Sequence, residues 1–186
     1  DALARFWRMQ GHEVFFTTGT DEHGQKIAGK ADEKGESRQA YVDHYAGEFE
    51  KLKTTLNLSY DRFIRTTNPE HKKAAEEIWR RCLASGDIYK KKYKGLYCVG
   101  DEMFMKYQSY IEEYVSREGV ILPEWRRQEA CNFVKKGLED FSISRERSRL
   151  DWGVPVPDDE HQVMYVWFDA LTNYISTLGW PDDREG

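Results

Sequence analysis

The order of its strand, loop and helix signals constrains this chain most, because parallel strands can be joined only by crossovers that return over the sheet. Val14-Phe15-Phe16-Thr17-Thr18 is β-branched and aromatic without a charge, the character of a strand buried on both faces of a parallel sheet. It runs directly into Gly19-Thr20-Asp21-Glu22-His23-Gly24, a polar loop with a glycine at each end. Ahead of it, Leu3, Phe6 and Trp7 share one helical stripe that Gly11 is placed to end. From Ser37, Tyr41, Tyr45, Phe49 and Leu52 recur at helical spacing. Arg62 to Thr67 reads as a second strand and leads to Asn68-Pro69-Glu70. An N-cap residue, a first-turn proline and an acid near the positive end of the dipole predict a helix from there to Ser85, before Gly86.

Later segments continue the rhythm. Phe141 to Arg145 and Val163 to Phe168 are strand-like, and the latter opens into Asp169-Ala170-Leu171-Thr172-Asn173-Tyr174, the start of a helix with Asp169 as its cap. Strand and helix in repeated order imply an α/β fold: a Rossmann-like, mostly parallel sheet with helices on both faces. One stretch interrupts it. Ile88 to Val99 alternates Tyr89, Tyr93 and Tyr97 with lysines around Gly95, which reads as a hairpin with a solvated face belonging to a small, incomplete insertion. Helical periodicity returns through Tyr107, Tyr110, Ile111 and Tyr114, and again from Pro123 through Trp125, Phe133 and Val134. The expected organisation is a first part of the main domain at 1–87, a connective hairpin at 88–105 and a second part at 106–186.

Charge and cysteine usage exclude several function classes. A third of the residues are charged, with a net charge of -5, which argues against a bulk electrostatic grip on nucleic acid and leaves only local contacts. No apolar run approaches the roughly 18 residues that a membrane span needs. Cys82, Cys98 and Cys131 stand far apart, forming neither a zinc knuckle nor a redox pair, and read as small buried hydrophobes of a reducing compartment. Asp21-Glu22-His23 resembles a metal cluster in composition only, since adjacent residues on an extended chain point to opposite sides.

The functional signal lies where two strands end. In an open parallel sheet, ligands bind beyond the carboxyl ends of the strands. If both strands belong to one parallel sheet, Gly19 to Gly24 and Trp167 to Tyr174 share a rim, bringing a carboxylate opposite two aromatics and small apolar residues. That combination suits a ligand with a cationic group and an apolar tail, such as a free amino acid. Taken singly, Asp21 could equally hold a turn, Trp167 and Tyr174 could be core, and Arg145 could form a surface ion pair.

Four blocks, Gly19 to Ile27, Phe63 to Thr67, Ile143 to Arg145 and Tyr165 to Tyr174, stand in the order found in class I methionyl-tRNA synthetases, and essentially the whole chain resembles that family. The resemblance implies that Asp21 holds the methionine ammonium group, that Trp167, Ala170, Leu171 and Tyr174 line the side-chain pocket, and that Arg145 contacts ATP. It implies adenylation of methionine by in-line attack of its carboxylate on the α-phosphate, then transfer to the tRNA acceptor end. ATP is expected as a substrate with Mg2+, with no zinc site in this chain, in a monomeric, cytoplasmic enzyme. The family's two phosphate motifs, of His-Ile-Gly-His and Lys-Met-Ser-Lys-Ser type, are not in the sequence, so the chain is expected to be an incomplete part of the enzyme and no catalytic residue is assigned. The alternative is an inactive, synthetase-like binding module for RNA or protein. The family resemblance also implies that an inserted domain is missing near Met105, so that consecutive α-carbons between Met103 and Lys106 lie farther apart than the ~3.8 Å of a trans peptide.

Overall fold

In the computed structural model, the described residues are 1–90, 108–138 and 141–182. They contain helices α1 (Ala2–Met9), α2 (Gln25–Lys34), α3 (Arg38–Thr55), α4 (Pro69–Ala84), α5 (Gln108–Ser116), α6 (Glu124–Lys135), α7 (Val166–Leu171) and α8 (Asn173–Ser176). The strands are β1 (Thr17–Thr20), β2 (Arg62–Arg65), β3 (Ser144–Glu146), β4 (Pro155–Val156) and β5 (Asp159–Met164). Two compact units result: Asp1–Ile88 with Ile143–Gly186, and Tyr89–Ser142. The contact boundary thus falls after Ser142 and groups α5 and α6 with the interrupting segment, whereas the sequence pattern has 106–186 as one part. The Tyr93–Tyr97 hairpin, Cys98 and the Met103–Lys106 junction lie outside the described residues.

In the first unit, β1 and β2 pair in parallel, with Thr17 opposite Arg62 and Gly19 opposite Ile64. Gly19 is dictated by this pairing, since a Cβ there would stand 1.9 Å from the Ile64 carbonyl oxygen. The helix starts follow their local chemistry. Ser37 accepts a hydrogen bond from the Ala40 amide at 3.2 Å and begins α3, as its N-cap preference dictates. Asn68 occupies the N-cap of α4 with Pro69 behind it, but its side chain turns to Glu70 at 3.3 Å and caps no amide.

Three strand expectations need correction. The first strand begins at Thr17, and Val14 to Phe16 precede it as irregular chain with Phe15 largely exposed. The last strand ends at Met164, and it lies with β3 and β4 in a separate antiparallel sheet of order β3-β5-β4. Helix α7 starts at Val166 with Tyr165 as its N-cap residue, so Asp169 sits inside the helix instead of capping it. The physical reason is that Tyr165-Val166-Trp167-Phe168 is apolar throughout, and periodicity cannot separate a buried strand from a short buried helix over such a run.

The core lies between α4 and the antiparallel sheet. Ala75, Trp79, Val154, Val156 and Met164 are buried together, and Ile88, Ile143 and Phe168 pack against them. Trp79 meets Phe168 edge-on, with centroids 5.2 Å apart. Each large side chain of this kind adds about 1.5–3 kcal/mol by leaving water. Phe168 thereby commits one face of α7 to the core, and its neighbour Trp167, about 100° around the helix, points elsewhere. In the second unit, α5 and α6 pack as a helix pair, and Cys131 donates to the Val115 carbonyl oxygen at 3.6 Å. Cys82 and Cys131 are both free and half-buried, more open than a core role implies.

Candidate functional site

Trp167, Ala170, Leu171 and Tyr174 are spaced i, i+3, i+4 and i+7, so a continuous α7–α8 turn presents all four on one face. That face and the end of β1 enclose a cleft of about 210 Å³ lined by Thr17, Thr18, Gly19, Asp21 and Ile64 on one side and by Trp167, Ala170, Leu171, Asn173 and Tyr174 on the other. The five residues singled out as amino-acid-binding therefore share one cavity. The route to that juxtaposition differs from the sequence argument: only Asp21 leaves a strand of a parallel pair, and Trp167 reaches the rim from a helix. Trp167, Leu171 and Tyr174 are 58%, 53% and 73% exposed, which separates them from the core and leaves their apolar surface facing the opening.

Asp21, Glu22 and His23 take three separate directions, which explains why they do not converge on one ion. Asp21 faces the cleft and accepts a hydrogen bond from Asn173 Nδ2 at 3.1 Å. Burial pushes its carboxyl above the usual range, the charge of Asp169 adds to this, and His71, the Asn173 hydrogen bond and His23 oppose it. Among the described residues, no Lys or Arg pairs with Asp21. A partly desolvated carboxylate without a cation, beside an apolar wall, is suited to an ammonium group arriving with its own apolar tail.

Glu22 turns inward and holds the loop. Its Oε1 accepts from Thr20 Oγ1 and from Arg65 Nε, each at 2.6 Å, while Oε2 accepts from Arg65 Nη2 at 3.0 Å and from the Thr67 hydroxyl. Its amide donates to Thr66 Oγ1 at 2.8 Å, and its carbonyl accepts from Trp152 Nε1 at 2.6 Å. Arg65 also reaches Asp43 at 2.6 Å, so β2 and α3 are tied to the loop that carries Asp21. The hydrogen bonds to Glu22 and Asp43 raise the Arg65 guanidinium, the Glu22 bond more strongly. Replacing Glu22 by Gln keeps the shape but removes the charge from a forked contact whose carboxylate residue is 2% exposed. It is expected to lower stability by about 1–3 kcal/mol in urea unfolding.

His23 forms a second buried cluster. Its Nδ1 donates to Asp169 Oδ2 at 2.6 Å, and His71 Nε2 donates to Asp169 Oδ1 at 2.7 Å. His71 Nδ1 lies 2.9 Å from Ser176 Oγ. Burial raises the Asp169 carboxyl, but the two histidine contacts outweigh it and hold the group below the usual carboxylate value. Sequence reasoning did not single out His71, Asn173 or Asp169 as site residues. The available signal was the order of polar residues on α7–α8, where Asp169, Thr172, Asn173, Ser176 and Thr177 alternate with the apolar face.

Arg145 lies apart from the cleft lining. It sits on β3, with Nη1 donating to the Ser144 carbonyl at 2.9 Å and its guanidinium 4.2 Å from the centroid of Tyr165, the residue that precedes α7. Among the described residues, no group of three or more His, Cys, Asp or Glu side chains converges as a metal site, and no helix is long and apolar enough to cross a membrane.

The family model described as "tRNA synthetases class I (M)" matches residues 1–108 and 104–186. A methionine–tRNA ligase of Mycobacterium leprae is 42% identical over 219 aligned positions, covering 98% of this chain and 40% of the relative. One of Brucella suis is 41% identical over 220 positions, covering 100% of this chain and 42% of the relative. The solved Mycobacterium tuberculosis methionyl-tRNA synthetase in complex with methionyl-adenylate superimposes with a TM-score of 0.88 at 38% identity, over 99% of this chain and 43% of that one. The apo form of the same synthetase gives 0.71 at 36% identity. The chain thus spans about two-fifths of the length of the curated relatives it matches. A family model that matches essentially the whole chain, relatives about 41% identical across it and a shared α/β fold lead to one conclusion: the chain belongs to the class I methionyl-tRNA synthetase family.

Proposed function

We propose that this chain forms the methionine-binding part of an enzyme that activates methionine with ATP to methionyl-adenylate and transfers the methionyl group to the acceptor end of tRNA. The observation that carries this reading is the single cleft in which an uncompensated carboxylate, Asp21, faces Trp167, Ala170, Leu171 and Tyr174. Asp21 holds the ammonium group by a charge-assisted contact, and the aromatic wall takes the thioether, whose polarizable sulfur gains from contact with ring edges. Fixing the amino acid at both ends aims its carboxylate at the α-phosphate, and the reaction then depends on positioning and charge stabilisation more than on a protein acid or base. Arg145, held over Tyr165 at the entrance to α7, is assigned to the nucleotide, which enters as ATP with Mg2+. The enzyme so described acts as a monomer in the cytoplasm.

Residues 88–105 are assigned to the remnant of an inserted connective segment. The family model matches in two stretches that meet at 104–108, and the relatives align over 219 and 220 positions against 186 residues here, so they carry residues this chain lacks.

Methionine-dependent exchange of pyrophosphate into ATP by the full-length protein tests this function. Exchange that requires methionine and is not supported by leucine or isoleucine at equal concentration is the expected result. A folded protein that binds methionine without exchange would instead favour the inactive binding module, and one that does neither would remove the reading altogether.

A further inference from the structure

The two walls of the cleft come from segments about 150 residues apart, and something must hold them at a fixed separation. The polar contacts that cross between them are few. Asn173 reaches Asp21 at the open rim, and the Thr17 and Thr177 hydroxyls meet at 2.8 Å at the far end. Between these, among the described residues, Asp169 joins the two sides through buried side chains, meeting His23 and His71, at 1%, 5% and 0% exposure. Asp169 stands on α7 between Trp167 and Ala170. His23 stands two residues beyond Asp21, and His71 belongs to α4 and continues to Ser176 on α8. One carboxylate therefore binds, by its two oxygens, the loop that carries Asp21 and the helix behind the aromatic wall.

We infer that Asp169 is a positioning residue for methionine: through His23 and His71 it sets the distance between the Asp21 carboxylate and the Trp167–Tyr174 face, without touching the ligand itself. This inference rests on the proposed methionine site. Geometry limits the alternatives. His71 lies wholly in the interior and does not line the cleft, so its contact to Asp169 at 2.7 Å serves the frame and not the ligand directly. The edge-on contact of His23 with the half-buried Trp152, at 5.4 Å, and the Gly24 amide donating to the Trp152 carbonyl at 3.3 Å hold the loop side of the cluster in place. A loss of Asp169 would leave the loop attached through Glu22 and Arg65 but would free α7 to shift against it, so that the two walls would no longer grip both ends of methionine at once.

Asp169 also acts on Asp21 through space. The charged and titratable groups that face Asp21 are Asp169 on α7, His71 on α4 and His23 on its own loop, with the Asn173 amide on α8. Among these, Asp169 is the one whose charge opposes ionisation of Asp21. Removing it has two separable consequences. The walls lose their tie, which weakens methionine binding at neutral pH, and Asp21 ionises more readily, which moves the acid limit of methionine binding to lower pH.

The test compares Asp169→Asn and His71→Gln with the unaltered full-length enzyme in pyrophosphate exchange, normalised to active sites by the burst of adenylate formation. In both variants the KM for methionine is expected to rise about tenfold, the loss typical of a modest misplacement, while the KM for ATP and the turnover per active site change by less than about threefold. In Asp169→Asn alone, the acid limb of the methionine KM profile is expected to move down in pH. Equal rises in both KM values, or unchanged methionine KM in the folded fraction of both variants, would overturn the inference and leave Asp169 a stability residue. If Asp169→Asn does not fold, the methionine KM of His71→Gln decides, since that substitution leaves the His23 contact in place. Absence of exchange in the unaltered enzyme would overturn the proposed function itself, and with it the site on which the inference depends.

Discussion

Trp167→Ala is expected to reduce methionine activation by about 30- to 1,000-fold in kcat/KM, which corresponds to about 2–4 kcal/mol for truncating a large aromatic anchor in a binding cleft. The melting temperature should change little. Trp167 is 58% exposed, and it is Phe168, one residue on, that packs against Trp79 in the core. A core tryptophan would behave in the opposite way, costing about 3–5 kcal/mol of stability on truncation. Exchange kinetics measured beside thermal unfolding therefore separate the two roles, and a destabilised variant with unchanged methionine KM would place Trp167 in the frame of the fold. Discrimination among ligands should be modest for close analogues, because an apolar cleft gains only about 1–3 kcal/mol per methylene. Ethionine is thus expected to compete measurably, whereas an analogue without the ammonium group should not.

Asp21→Asn is expected to give a protein at least as stable as the parent but about 10- to 150-fold weaker for methionine, the equivalent of losing a charge-assisted hydrogen bond worth about 1.5–3 kcal/mol. The two effects have one origin. Burial and the nearby Asp169 charge raise the Asp21 carboxyl above its ordinary value of 3.8, so the folded state favours the protonated form. A raised folded pKa means that stability is greatest in acid and declines as pH rises through that pKa, so at neutral pH the ionised Asp21 opposes folding. Asparagine removes that opposition along with the charge proposed to attract the ammonium group. In the parent enzyme, methionine affinity should correspondingly fall as pH drops through a value above 3.8, and in Asp21→Asn that acid limb should be absent. Calorimetric methionine titrations at several pH values, together with urea unfolding, measure both. A variant that binds methionine as tightly as the parent would exclude Asp21 from the ammonium contact.

The relation between these residues shows how far local chemistry reaches. Helices α1, α3, α4 and α6 follow from periodicity and from end signals such as Ser37, Pro69 and Gly11, all of which act within a turn or two of the chain. The face formed by Trp167, Ala170, Leu171 and Tyr174 is likewise local, because i, i+3, i+4 and i+7 residues adjoin on any helix. Where local signals were ambiguous, the outcome was decided elsewhere. The apolar run from Val163 to Phe168 suits strand or helix, and it divides at Tyr165 because β3 and β4 pair with Asp159–Met164 while Trp79 receives Phe168.

By itself the sequence determined an α/β chain, its principal helices and a polar loop after β1, because those depend on residue type and near-neighbour spacing. Its two family blocks also brought Asp21 and the α7–α8 face under suspicion as one site. Only tertiary structure decided that Glu22 would turn to Arg65, that His23 and His71 would meet on Asp169, and that the last strand would be antiparallel. Each of those depends on atoms distant along the chain being brought within about 3 Å of one another, and a hydrogen bond's partner is selected by that geometry, for which neighbouring residues carry no code.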